Sequence, residues 1–477
     1  MKHLAILLCA ALATAASAQA APAPERTSTL RDQRSVNLTV YNGSNALVHD
    51  RRRIVLDAGR NAIAWRDVSA KMDPTSAILS ALDPGSQVGV IEQNFDYDVL
   101  NQASLLRKYV GSEVIVVHPA RFAGERPRRE WAKVLNVDDG IVLQYRDRVE
   151  TQLDGYIEFP RVPPSLRDRP TLTVDLQSAR RGPQTLDLAY LTDGLSWSAN
   201  YVATIAADRA HMNLLGFVSL TNDSGTSYSN ARLQLVAGNV QTTPPHEILK
   251  TIARVTASQD VFNVNAQQED LFEYHLYTIP FRTTILDKQT KQLALLSASD
   301  VPIRETLELH GSEYYSRATA QGDIGARLPV GIYVSFDNKG EHLGIPLPAG
   351  TMRMYQNDSH GLSQFLGASS IPHTPRNDTV RLYLGDAFDV VAHKVQTDFK
   401  LHSNCSASSS YAIALVNGKN APQEVRVIEP IPGDWSISQP SLPYRKSSAH
   451  TATWIVTIPA DATTTLRYTA DVTWCRE

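Results

Sequence analysis

Few residues in this chain have both the type and the spacing for chemistry. Asp358-Ser359-His360 sets the three residue types of a hydrolytic triad side by side. A working triad is brought together by folding from separate segments, so this tripeptide reads as a turn ahead of GLSQFLG. The histidines fall in separate strands and loops without ligand spacing, which predicts surface or core positions, no metal and no other cofactor. Asp96 and Asp98 in FDYD are not followed by the Gly and distal Glu of a calcium loop. Gly-x-Ser-x-Gly, His-Glu-x-x-His, a P-loop and a dinucleotide fingerprint are all missing from the sequence. Carboxylates are numerous enough for some pair to reach glycosidase separation after folding, but no pair is singled out. No catalytic residue is therefore assigned.

Cys405 and Cys475 are the cysteines outside the first twenty residues, and both sit in strand-like contexts. In an oxidising compartment an even pair predicts one disulfide. Closing about 70 residues would stabilise by roughly 4 kcal/mol on the chain-entropy model.

Aromatic side chains on exported β-proteins are natural stacking surfaces, and Trp197 and Tyr201 invite that reading. They share a strand face with Ala199, Ala203 and Ile205, and period-two alternation of this kind marks a core. Trp435 and Trp454 are assigned to the core for the same reason. Recognition is expected instead on loops that a rigid sheet displays, at Asp193 and Gly194 and at Asn222 and Asp223.

The elements that position these residues are strands nearly throughout. LDLAYLTDGLSWSANYVATI alternates on both sides of Thr192-Asp193-Gly194 and predicts a β-hairpin. VNLTVYN and ALVHDRRRIVLDAGRNAIAW open an N-terminal β domain over 36–102. Within it, Arg51, Arg52 and Arg53 read as strand residues and edge charges. Residues 103–160 begin with a short helix ending before Gly111 and continue as a small barrel-like module. A Pro-rich linker, 161–170, precedes a β-rich region over 171–375. HEILKTIARV is a short helical candidate inside that region. The last segment, 376–477, has the strand spacing of an immunoglobulin-like β-sandwich. The expected fold class is all-β, a small N-terminal domain and barrel-like module followed by a large sandwich region.

Residues 1–20 combine Lys2, an apolar run from Leu4 to Ala13 and a small-residue end, which is the layout of a secretory signal peptide. Cleavage near residue 18 or 20 leaves a Pro-containing tether, 21–35, and a periplasmic or secreted protein. No run reaches the length of a transmembrane segment. The formal charge of -3 becomes -4 once Lys2 is removed, so no general attraction to nucleic acid is expected.

From Leu186 onward, LTDGLSWSANYVATI, NDSGTSYSNARLQLVAGNV, LGIPLPAGTMRMYQND and FLGASSIPHTPRNDTVRLYLGDAFDV resemble the C-terminal region of mucoidy inhibitor A-like bacterial proteins, catalogued as a domain of unknown function. The likeness is looser over VNLTVYNGSNALVHDRRRIVLDAG. Longer members insert a coiled coil that this sequence does not have. The resemblance implies an exported β-rich protein and carries no activity with it. Export, the sandwich pattern and the missing catalytic motifs together predict a cell-envelope scaffold that binds an envelope protein or polysaccharide. The alternative is a secreted, glycan-active hydrolase using a carboxylate pair in a groove between domains.

Overall fold

The structure, a computed structural model, describes residues 24–96, 99–120, 122, 124–163, 166–238, 267–271, 274–312, 315, 323–340 and 343–474. The predicted leader, the HEILKTIARV segment and Cys475 lie outside the described residues. Among the described residues the chain is all-β: 31 strands accompany one α-helix, Gln102–Lys108, and one 3-10 turn, Pro74–Ser76. No helix among them is long and apolar enough to cross a membrane.

The helix ends where its sequence dictates. Asn101 Oδ1 accepts from the Ser104 N–H, and Ser104 Oγ accepts from the Asn101 N–H, both at 2.9 Å, so the first turn is capped reciprocally. Gly111 follows in the left-handed region at φ 83°, which only glycine enters without strain.

The chain divides into two compact units. The first comprises residues up to Val36 and Val48–Thr192; the second comprises Asn37–Leu47 and the chain from Asp193. The Pro-rich segment that starts at Pro160 falls inside the first unit.

In the first unit, Glu25–Ser28, Gly59–Arg66, Thr171–Ser178 and Val88–Asp96 form one four-stranded sheet in that order. Residues 48–56 lie beside Gly182–Asp193, which pairs in turn with Ile78–Ala81. Gly182–Asp193 is buried on both faces: Leu186, Leu188 and Tyr190 are covered, and so are Asp187 and Ala189. Asp187 tolerates this because its carboxylate accepts from Arg51 Nε at 3.2 Å and lies 2.9 Å from His49 Nδ1. A five-stranded sheet running from Glu113–His118 to Tyr156–Glu158 closes over its own core of Val114, Val116, Val134 and Leu143.

In the second unit, Leu195–Ile205 does not pair with Gly182–Asp193, so the expected hairpin is absent. The chain changes sheets at Asp193-Gly194, and Leu195–Ile205 pairs antiparallel with His211–Asn222 and parallel with Gly350–Asn357. Alternation reports which face of a strand is buried and not which strand lies beside it. The face itself is Leu195, Trp197, Ala199, Tyr201, Ala203 and Ile205, all buried, each large aliphatic contributing about 1.5–3 kcal/mol against exposure.

The second unit ends in a nine-stranded sheet. Its strands Asp434–Ser438, Ala462–Thr473, Ser406–Asn417 and Thr379–Ser403 are consecutive neighbours. The sheet curls so that Gln423–Pro430 and Thr451–Ile458 share one core with them, including Tyr411, Ile413, Val427, Trp454 and Leu466.

Candidate functional site

The outer face of this curled sheet carries the site. Period-two alternation sends Ala407, Tyr411, Ala470 and Val472 into the core, so Ser406, Ser408, Ser410, Thr469, Asp471 and Thr473 face the other way. The register sets Ser408 opposite Asp471, and Asp471 opposite Ser436 on the edge strand. The result is an open groove of about 450 Å³ lined by His402, Ser408, Asp434, Ser436 and Asp471 among others.

Its hydrogen bonds form one connected line. Ser408 Oγ donates to Asp471 Oδ1, Ser438 Oγ donates to Asp471 Oδ2 at 2.7 Å, and His402 Nε2 lies 2.6 Å from Ser408 Oγ. Beside it, Ser410 Oγ and Thr469 Oγ1 are 2.8 Å apart, and Ser403 Oγ and Ser406 Oγ 2.9 Å apart. An ionised carboxylate only accepts, so the single Ser408 proton is committed to Asp471 and His402 is left to donate to Ser408. A serine nucleophile needs the opposite polarity, with the imidazole accepting. What the face does offer is a fixed array of short hydroxyl and carboxylate groups. Such groups exchange hydrogen bonds with a hydroxylated ligand at little conformational cost.

A second groove, of about 710 Å³, runs along Leu79, Ser86, Val88 and Gln177 in the first unit, and no residue lining it is charged. Among the described residues no group of three or more His, Cys, Asp or Glu side chains could hold a metal ion. The buried carboxylates Asp50, Asp187, Glu308 and Glu429 are each paired with a cationic side chain.

Asp193 is exposed, and Gly194 turns at φ 84°. The two loops meet, because the Asp223 N–H donates to the Gly194 carbonyl at 2.6 Å. Asp223 is ion-paired with Lys288. Asn222 is fully buried: its Nδ2 donates to Thr226 O at 2.8 Å and Leu286 O at 3.1 Å, and its Oδ1 accepts from Ser224 Oγ at 2.7 Å. Nothing of the Asn222 amide is left to meet a ligand.

Trp197, Tyr201, Trp435 and Trp454 are buried. Tyr201 Oη donates to Pro348 O at 2.8 Å, and burial pushes its phenol well above the ordinary tyrosine range. Its cross-strand partner is Gly216, where a Cβ would come within 3.3 Å of the Tyr201 ring. Trp454 stacks on Tyr468 with ring centroids 4.7 Å apart. Asp358-Ser359-His360 forms a turn in which Asp358 Oδ1 accepts from the N–H groups of His360 and Leu362, both at 2.9 Å. Those donors hold the Asp358 carboxyl below its usual range, the Leu362 N–H contributing most. Cys405 ends the turn that leads into Ser406–Asn417, and its carbonyl accepts from the Trp474 N–H at 2.9 Å.

Sequence reasoning did not find His402, Ser408 and Asp471. Phase could have flagged two of them: Ser406, Ser408 and Ser410 alternate with Ala407 and Tyr411, and Asp471 alternates with Ala470 and Val472. It could not have shown that the two strands are neighbours. No protein-family model matches the chain, and no curated protein matches it.

Proposed function

We propose that this is an exported cell-envelope protein that acts as a binding scaffold, and that the Ser408–Asp471 groove takes a hydroxylated, polysaccharide-type envelope ligand. The observation that carries the reading is the groove itself: serine, threonine and aspartate side chains in register on a rigid sheet, held by one another and open to solvent. Aldohexose hydroxyls both donate and accept, and this surface does the same. Export is supported by the leader-like first twenty residues. A Cys405–Cys475 disulfide belongs to the same proposal; its support is the backbone bond from Trp474, the neighbour of Cys475, to Cys405. Kinship with the mucoidy inhibitor A-like proteins is likewise proposed on the sequence stretches quoted above.

The test is a glycan array probed with the purified full chain, run beside affinity capture from an envelope fraction. Retention of a polysaccharide that the Asp471→Ala variant does not retain supports the proposal. Cleavage of a polysaccharide, with no ligand or partner retained, overturns the scaffold in favour of a hydrolase.

A further inference from the structure

We infer that Lys394 and Glu429 condense into an isopeptide bond, a self-made covalent tie inside the last sheet of the second unit. The two side chains are 1% and 0% exposed, and Lys394 Nζ lies 2.6 Å from Glu429 Oε2. Their strands, Thr379–Ser403 and Gln423–Pro430, are not neighbours in the sheet, so the contact is made across the curled core. Aromatic rings surround it: Nζ is 4.7 Å from the Tyr411 ring centroid and 5.5 Å from that of Tyr315, while Tyr468 bridges Tyr411 and Trp454.

As an ion pair this arrangement is poorly satisfied. Glu429 Oε2 accepts from both Lys394 and Tyr315, the latter at 2.7 Å, but Glu429 Oε1 is buried and has no hydrogen-bond partner among the described residues. A buried charge is tolerated when every lone pair is met, and costs several kcal/mol otherwise. Gly311 is part of the fit: a Cβ there would lie 2.2 Å from Oε2, so a larger residue would push the carboxyl away from the amine.

The reaction conserves atoms and needs no oxidant or co-reactant. One ammonium proton crosses the hydrogen bond to Oε2, giving an amine and a carboxylic acid. The nitrogen lone pair then attacks Glu429 Cδ, and a second N–H proton passes to Oε2. The Cδ–Oε2 bond breaks, water leaves, and the amide keeps Oε1 as its carbonyl and one hydrogen on nitrogen. The Tyr315 hydroxyl, itself 3.0 Å from the Tyr468 hydroxyl, donates to Oε2, which holds the leaving oxygen in place and turns Cδ toward the amine, while the negative charge of the tetrahedral intermediate falls on Oε1. Burial, then the nearby Glu429 charge, hold both phenols far above their usual range, so Tyr315 stays protonated and able to donate. Fixed proximity lowers the barrier to a condensation that is slow between free groups in water.

The deciding experiment is intact mass and a tryptic map of the folded, disulfide-reduced full chain. The expected result is a protein lighter by one water than its sequence mass, no cleavage after Lys394, and a joined peptide that contains both residues. The Lys394→Met and Glu429→Ala variants should return to the sequence mass. Glu429→Gln is unsuitable as a control, because a carboxamide can form the same bond by losing ammonia. A wild-type protein at full mass that is cut after Lys394 overturns the inference, and that reading holds whether or not the variants fold.

Discussion

Asp50 and Arg52 stand two residues apart on one strand and are both buried, joined by Arg52 Nε at 3.0 Å and Nη2 at 2.7 Å to Asp50 Oδ2. The same oxygen accepts from Trp65 Nε1 at 2.8 Å, Gln33 Nε2 reaches Asp50 Oδ1 at 2.8 Å, and Arg52 also donates to the carbonyls of Ser28 and Arg66. The sequence predicts an edge position for Arg52 beside Arg51 and Arg53; the structure places it in the core because its phase is that of Val48 and Ile54. Arg52→Met should destabilise the protein by about 3–5 kcal/mol, since it strands the Asp50 carboxylate. Arg52→Lys should recover little, because one ammonium cannot copy the fork. Urea unfolding curves of the two variants check both statements.

Asn222 and Asn417 do one job at two strand ends. Asn417 Nδ2 donates to Ala421 O and Pro459 O, both at 2.9 Å, and its Oδ1 accepts from the Lys419 N–H at 3.0 Å, as Asn222 does for the turn after His211–Asn222. Replacing either with Ala leaves buried carbonyls without donors. The expected loss is about 1–3 kcal/mol for each, additive within error, because the two sites share no partner. Thermal unfolding of the single and double variants measures it.

Asp187 gives a pH dependence with a defined sign. Burial alone would raise its pKa, but the His49 and Arg51 contacts outweigh that, and the net shift is downward. A depressed carboxyl stabilises the fold above its unfolded-state value, and that contribution is lost as pH falls through the folded value. Stability measured from neutral pH into the acid range should therefore decline, and Asp187→Asn should flatten part of the decline while lowering stability at neutral pH. A variant with an unchanged acid profile would contradict this assignment.

Strand identity was legible because sheets buried on one face write their phase into the sequence: Trp197, Ala199 and Tyr201 show it plainly. Asp50, Arg52, Lys394 and Glu429 all occupy the apolar phase of alternating strands, and a charged residue in that phase is a buried one. Pairing was not legible. Gly182–Asp193 and Leu195–Ile205 are adjacent in sequence yet belong to different sheets, and Ser408 meets Asp471 across 63 residues. Strand order depends on closure of the whole chain, which local pattern does not encode.

Equilibrium binding of the intact protein and its Ser408→Ala variant to the envelope polysaccharide recovered from the glycan array decides whether the groove is the recognition surface. Ser408 lies on the groove surface, so the variant should fold as the wild type does. Saturable binding by the wild type, weakened about tenfold in Ser408→Ala as expected for one lost hydrogen bond near a carboxylate, is the predicted result. Equal binding by the two proteins would place the ligand elsewhere and contradict the groove as the recognition surface.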